Sequence, residues 1–188
     1  MSKYNLKEFL ENKLKKYQST FKNTSYDDTN NRYLCNDETT LNVYDFDKYI
    51  KENFDKSKLP SSPDAIYLEN KRFYFVEFKY QKASYIEPKE IKSKFEKGTN
   101  ILKDMLKKFT PKDNIFIFCV VFENQKRSRY FDSRHIETSS IKFGLDELNK
   151  NLGGFYDNII TQDINFYKMW QPRIHSFQMI VFMQYQEK

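Results

Sequence analysis

Asp64, Glu77 and Lys79 are the residues of this chain whose types and spacing could do chemistry. They lie in the stretch 62–81, SPDAIYLENKRFYFVEFKYQ, which reads as two strands joined by a tight turn at Asn70-Lys71. Side chains alternate along a strand, so Glu77 and Lys79 share one face while Phe78 takes the other. A hairpin sets the start of its first strand beside the end of its second, which puts Asp64 next to Glu77. Two carboxylates and one ammonium then converge on one spot. Magnesium prefers oxygen ligands and often takes only one or two carboxylates from a protein, and a neighbouring lysine can hold or deprotonate a water. Together these are the groups that metal-assisted phosphodiester hydrolysis needs. The same charges break the local pattern. Phe73 to Tyr80 is apolar on both faces until Glu77 and Lys79, as in a central strand, where such groups are excluded unless paired or ligating.

The surrounding sequence supplies elements to position this hairpin. Residues 5–17 keep a helical apolar spacing through Leu6, Phe9, Leu10, Leu14 and Tyr17, with Glu11 on the flank of the stripe. Residues 18–31 are polar and aperiodic and read as a loop; 32–35 and 39–43 read as short strands, and 45–54 as a helix. Pro63 suits the first position of a strand. Residues 88–109 form the longest predicted helix, with Ile91, Phe95, Thr99, Leu102, Met105 and Leu106 on one stripe and lysines over the rest. Residues 114–122 read as a second central strand. A helix between two strands makes them parallel neighbours, so the expectation is an α/β (α+β) fold with a central mixed sheet flanked by helices. Farther on, 145–152 reads as a helix stopped by Gly153-Gly154, 156–170 as a helix or irregular cap, and 177–185 as a last strand.

Composition narrows the function classes. The 188 residues suit one domain, and with 18% aromatic residues its core must be built largely from Phe and Tyr. A formal charge of +6 permits attraction to a polyanion. Lys126, Arg127 and Arg129, with Tyr130 and Phe131 beside them, interleave cations and rings as a nucleic-acid contact would, and Lys89 and Lys92 add charge on the long helix. The two cysteines make no disulfide framework or zinc site. No apolar run is long enough to span a bilayer, and the N-terminus does not open a signal peptide, so a soluble, cytoplasmic protein is expected. With only four glycines, no phosphate-binding loop or nucleophile elbow is present.

Pro63-Asp64, a gap of twelve residues, and Glu77-Phe78-Lys79 resemble the motif of the PD-(D/E)xK nuclease superfamily. The order of leading helix, motif-bearing hairpin, helix and strand over about 5–122 is similar to that family's restriction-endonuclease-like core, with about 123–188 as a C-terminal extension in a single domain. The resemblance implies that Asp64, Glu77 and the backbone carbonyl of Phe78 bind Mg2+, with Mn2+ able to substitute, and that Lys79 positions the attacking water. It further implies an acid from the leading helix, for which Glu11 is the candidate and Asp37, Glu38 and Asp47 are rivals. A helper beyond the motif lysine is also implied, a place Gln81 fills. The implied activity is a metal-dependent nuclease, an endonuclease acting on DNA before RNA, with nucleic acid as partner, no membrane association, and room for a homodimer. Two other readings stand beside it. One is an inactive nucleic-acid- or protein-binding module of the same fold, and the other is a nuclease toxin domain. His135 and His175 match neither the motif nor a ligand pattern.

Overall fold

The computed structural model describes residues 6–106, 114–123 and 143–165. In chain order the elements are α1 (Leu6–Leu14), β1 (Gln18–Ser19), α2 (Phe21–Thr24), β2 (Tyr26–Asp27), β3 (Arg32–Tyr33), β4 (Val43–Asp45), α3 (Phe46–Asn53), β5 (Ala65–Glu69), β6 (Arg72–Lys79), α4 (Pro88–Leu106), β7 (Ile115–Phe122), α5 (Leu145–Asn151) and β8 (Asn158–Asp163). Six strands form one mixed sheet in the order β1-β4-β5-β6-β7-β8, and β2 with β3 makes a separate two-stranded ribbon. The β1, β4, β5 and β6 neighbours run antiparallel, while β6, β7 and β8 run parallel. The expected mixed sheet flanked by helices is therefore present.

Alternation along β6 divides the core. Phe73 and Phe75 belong to a cluster with Leu6, Leu10 and Leu14 of α1, Phe46 and Ile50 of α3, and Ile91, Phe95 and Leu102 of α4. Tyr74, Val76 and Phe78 face the other way, into a cluster with Phe21, Cys35, Tyr67 and Cys119. Glu77 and Lys79 thus continue the row that begins with Phe73 and Phe75, on the face that carries α1, α3 and α4. The Asn70-Lys71 turn is tight, and Asn70 takes the left-handed conformation at φ 50° that such hairpin turns require.

The structure departs from the sequence expectations in three places. Residues 18–31 hold short elements rather than a continuous loop, because Thr20 caps α2 by accepting a hydrogen bond from the Asn23 amide. Residues 39–42 are not a strand: the Asp37 carboxylate takes the amides of Thr39 and Thr40, which folds the chain into a local turn, and pairing begins only at Val43. The segment 158–163 is a strand, not a helix, and it lies parallel to β7 with Ile159 beside Phe118. Its run of Ile159, Ile160 and Thr161 is β-branched, which favours the pleated form. The sheet therefore gains a sixth strand from the region expected to be an extension. The predicted strand 177–185, the basic segment with Lys126, Arg127 and Arg129, and both histidines lie outside the described residues.

Gly98 sets the distance between α4 and the hairpin. A Cβ at this position would stand 2.5 Å from Cδ of Pro63 and 3.2 Å from the ring of Phe75. Pro63 is rigid and Phe75 is fully buried, so neither can give way. The absence of a side chain lets α4 close directly over the Pro63-Asp64 corner. Gly98→Ala is expected to destabilise the protein by about 1–3 kcal/mol through overpacking, although alanine favours a helix interior by ~1 kcal/mol over glycine. Urea unfolding of the two proteins measures this; a variant as stable as the parent would show that α4 does not rest on Pro63.

Candidate active site

The backbone first brings Asp64 into place. The amides of Phe46 and Asp47, at the N-terminus of α3, approach the Asp64 carbonyl at 3.0 and 3.5 Å, and the Asp64 amide donates to the carbonyl of Val76 at 3.0 Å. Ala65 pairs with Val76, so Asp64 stands across from Glu77. The Asp64 side chain then turns onto the end of β6, where Oδ2 accepts the Phe78 amide at 2.7 Å. The N–H and C=O of one strand residue point to the same side. The Phe78 carbonyl therefore faces the same edge as its amide, where β5 has already ended.

Glu77 has no solvent exposure. Two lysines surround it. Lys79 Nζ lies 3.0 Å from Oε1. Lys94 Nζ, from α4, lies 2.7 Å from Oε1 and 3.0 Å from Oε2. Lys94 also reaches Asp64 Oδ1 at 3.5 Å, so a single ammonium spans both carboxylates. Lys79 is held from its far side by Glu90 of α4. Oε1 of this fully buried carboxylate thus has both ammonium groups at ion-pair distance.

The electrostatics follow from burial. Loss of solvent, reinforced by the negative charge of Asp64, pushes the Glu77 carboxyl up to about 7, against the pull of Lys94 and Lys79. Burial likewise raises Asp64, opposed by Lys94 and by the Phe78 amide. Burial works against the charge of Lys79, but Glu77 and Glu90 outweigh it and hold the ammonium above its usual range. Lys94 is raised in the same way: burial opposes its charge, and Asp64 and Glu77 outweigh it. Both lysines are firmly protonated.

The sequence-derived candidates divide into two groups. Asp64, Glu77, Lys79 and the Phe78 backbone converge. Glu11 does not join them: it pairs with Lys7 on α1 at 3.7 Å and its charge is felt by Tyr44. Among the rival acids, Asp47 is the one whose charge acts on Asp64, and it holds Lys51 at 2.6 Å. Asp37 is engaged with Thr39 and Thr40, and Glu38 pairs with Lys22. Gln81 is exposed beyond the end of β6. Just beyond the strand the Tyr80 hydroxyl is fixed on the 32–34 segment, accepting from Leu34 N and donating to Arg32 O. A cleft of about 470 Å3 opens beside the site, bordered by Asp47, Ser61, Ser62, Lys89, Glu90 and Lys94 among others. Lys89 faces this cleft, whereas Lys92 Nζ sits 3.1 Å from where a Cβ on Gly144 would stand, toward α5.

No protein-family model, curated protein or solved structure matches this chain. The chemistry of the site therefore rests on its own residues.

Lys94 and Glu90 are the members that sequence reasoning missed, because they read as part of the lysine-rich solvent face of α4. Two signals mark them. Glu90 and Lys94 flank the stripe of Ile91 and Phe95, and Lys94 lies one turn before Gly98, the lone glycine of that helix. Among the described residues no third Asp, Glu, His or Cys joins Asp64 and Glu77 in a ready-made metal cluster. Two carboxylates and one carbonyl still suit Mg2+, which keeps several of its waters.

The raised Glu77 carboxyl gives stability a definite pH dependence. Between its unfolded value near 4.5 and about 7, the folded state binds more protons than the unfolded state. Stability contributed by this group is thus full at low pH and falls as pH rises through that window, by about 3 kcal/mol in all. Asp64 adds a slope of the same sign. Urea unfolding in a chelator at about pH 5 and about pH 8 is expected to show the loss, and Glu77→Gln to remove most of it. An unchanged slope in the variant would mean that Glu77 is ionised in the folded state throughout this range.

Proposed function

We propose that this protein is a metal-dependent nuclease that hydrolyses phosphodiester bonds, with DNA preferred to RNA. The observation that carries this reading is the fully buried Glu77, set against Asp64 just outside the end of β5, with the ammonium groups of two lysines on its carboxylate. The order of α1, the motif-bearing hairpin β5-β6, α4 and β7 supports a restriction-endonuclease-like core.

Asp64, Glu77 and the Phe78 carbonyl would hold a divalent cation, Mg2+ or Mn2+. Bound there, the ion supplies Lewis-acid polarisation of the phosphate and stabilisation of charge on the leaving oxygen. The chain's own residues do the rest. Lys79 is firmly protonated, so it donates to a water and orients it rather than taking its proton. Glu90 fixes the direction of that ammonium from the cleft side. Lys89 and the serines of the cleft border give a nucleic-acid backbone its first contacts.

A second reading has an observation of its own. The Lys94 bridge between Asp64 and Glu77 is also what a purely structural ion-pair cluster in an inactive binding module would look like. Incubation with supercoiled plasmid, single-stranded DNA and RNA, in Mg2+ or Mn2+ and in chelator, separates the two. Metal-dependent cleavage is expected, reduced roughly 100-fold or more in Asp64→Asn, Glu77→Gln and Lys79→Met. Cleavage that survives in these variants would remove the site assignment, and no cleavage of any substrate would favour the binding module.

A further inference from the structure

We infer that Lys94 is a built-in competitor for the metal: its ammonium occupies the cationic position between Asp64 and Glu77, and a divalent ion must displace it to bind. This deepens the metal-site reading above and rests on it. Three observations carry it. Lys94 Nζ is within 2.7–3.5 Å of carboxylate oxygens from both proposed ligands, which is where a shared cation would sit. Lys79 already neutralises Glu77 from another side, at 3.0 Å, so Lys94 serves the pair of acids and not Glu77 alone. Lys94 also borders the open cleft, where Asp47, Glu87 and Glu90 line the wall. Its flexible four-carbon stem lets the ammonium move off the carboxylate pair toward these acids.

The bridge serves the empty site. Two carboxylates brought together, one of them out of solvent, repel each other, and each raises the other's proton affinity. An internal ammonium offsets that repulsion until a metal arrives. The arrangement lowers the affinity for the metal, because ion-pair interactions with Lys94 are given up on binding.

Titration calorimetry with Mn2+ on the full chain tests this, using the parent, Lys94→Met and Lys94→Arg. Lys94→Met keeps the length of the side chain without its charge. It is expected to bind Mn2+ at least about tenfold more tightly than the parent, whereas Lys94→Arg retains the competitor and binds no more tightly than the parent. The melting temperature in chelator and in saturating Mn2+ gives a second readout: the metal-induced rise should be larger in Lys94→Met, which holds even if that variant is less stable without metal. Equal or weaker Mn2+ binding by Lys94→Met would overturn the proposal. Absence of Mn2+ binding in all three proteins would instead overturn the metal site itself, and Mn2+ binding by Lys94→Met alone would be the strongest support for the competitor.

Discussion

A carboxylate with no exposure to solvent, Glu77, sits between two ammonium groups in the central sheet, and the arrangement of the surrounding elements serves that contact. Removing one partner from a buried ion pair costs about 3–5 kcal/mol, whereas well-packed apolar side chains in the same space are often more stable. A row that runs Phe73, Phe75, Glu77, Lys79 therefore bears a stability cost where a third phenylalanine or a valine would have none. Glu77 lies just past the end of the pairing with β5, where the Asp64 carboxylate and the cleft are both within reach. The cost is placed where the sheet opens, as a functional site requires.

Three elements converge on that contact, each for its own reason. The α3 N-terminus offers its free amides to the Asp64 carbonyl and so fixes the corner before β5. The tight Asn70-Lys71 turn sets the register that puts Asp64 across from Glu77. Helix α4 lies against Pro63 through Gly98 and delivers Glu90 and Lys94 from above.

Much of this was legible in the sequence. The hairpin register follows from two strand-like runs joined by a two-residue turn, so the meeting of Asp64 and Glu77 needed no tertiary information. The long helix and the parallel strand after it follow from periodicity and connection rules. What escaped did so for physical reasons. Lys94 is of the same type as its exposed neighbours on α4, and its place on the flank of the apolar stripe becomes telling only once Gly98 is known to seat the helix close to Pro63. Asp47 stands nearer the site than Glu11 because α3 begins at the Asp64 corner, a fact of packing that no spacing reveals. The strand at 158–163 has no strict alternation, since its parallel pairing with β7 comes from tertiary contact.

The proposed role of the Asp64–Glu77 pair is to hold a divalent metal. Anomalous diffraction from crystals grown with Mn2+ addresses it without depending on any substrate. One anomalous peak is predicted within bonding distance of carboxylate oxygens from both Asp64 and Glu77, about 2.1 Å, with the Lys94 ammonium moved away from them. A crystal saturated with Mn2+ in which Lys94 still bridges the two carboxylates and no peak lies between them would contradict a metal site at this pair.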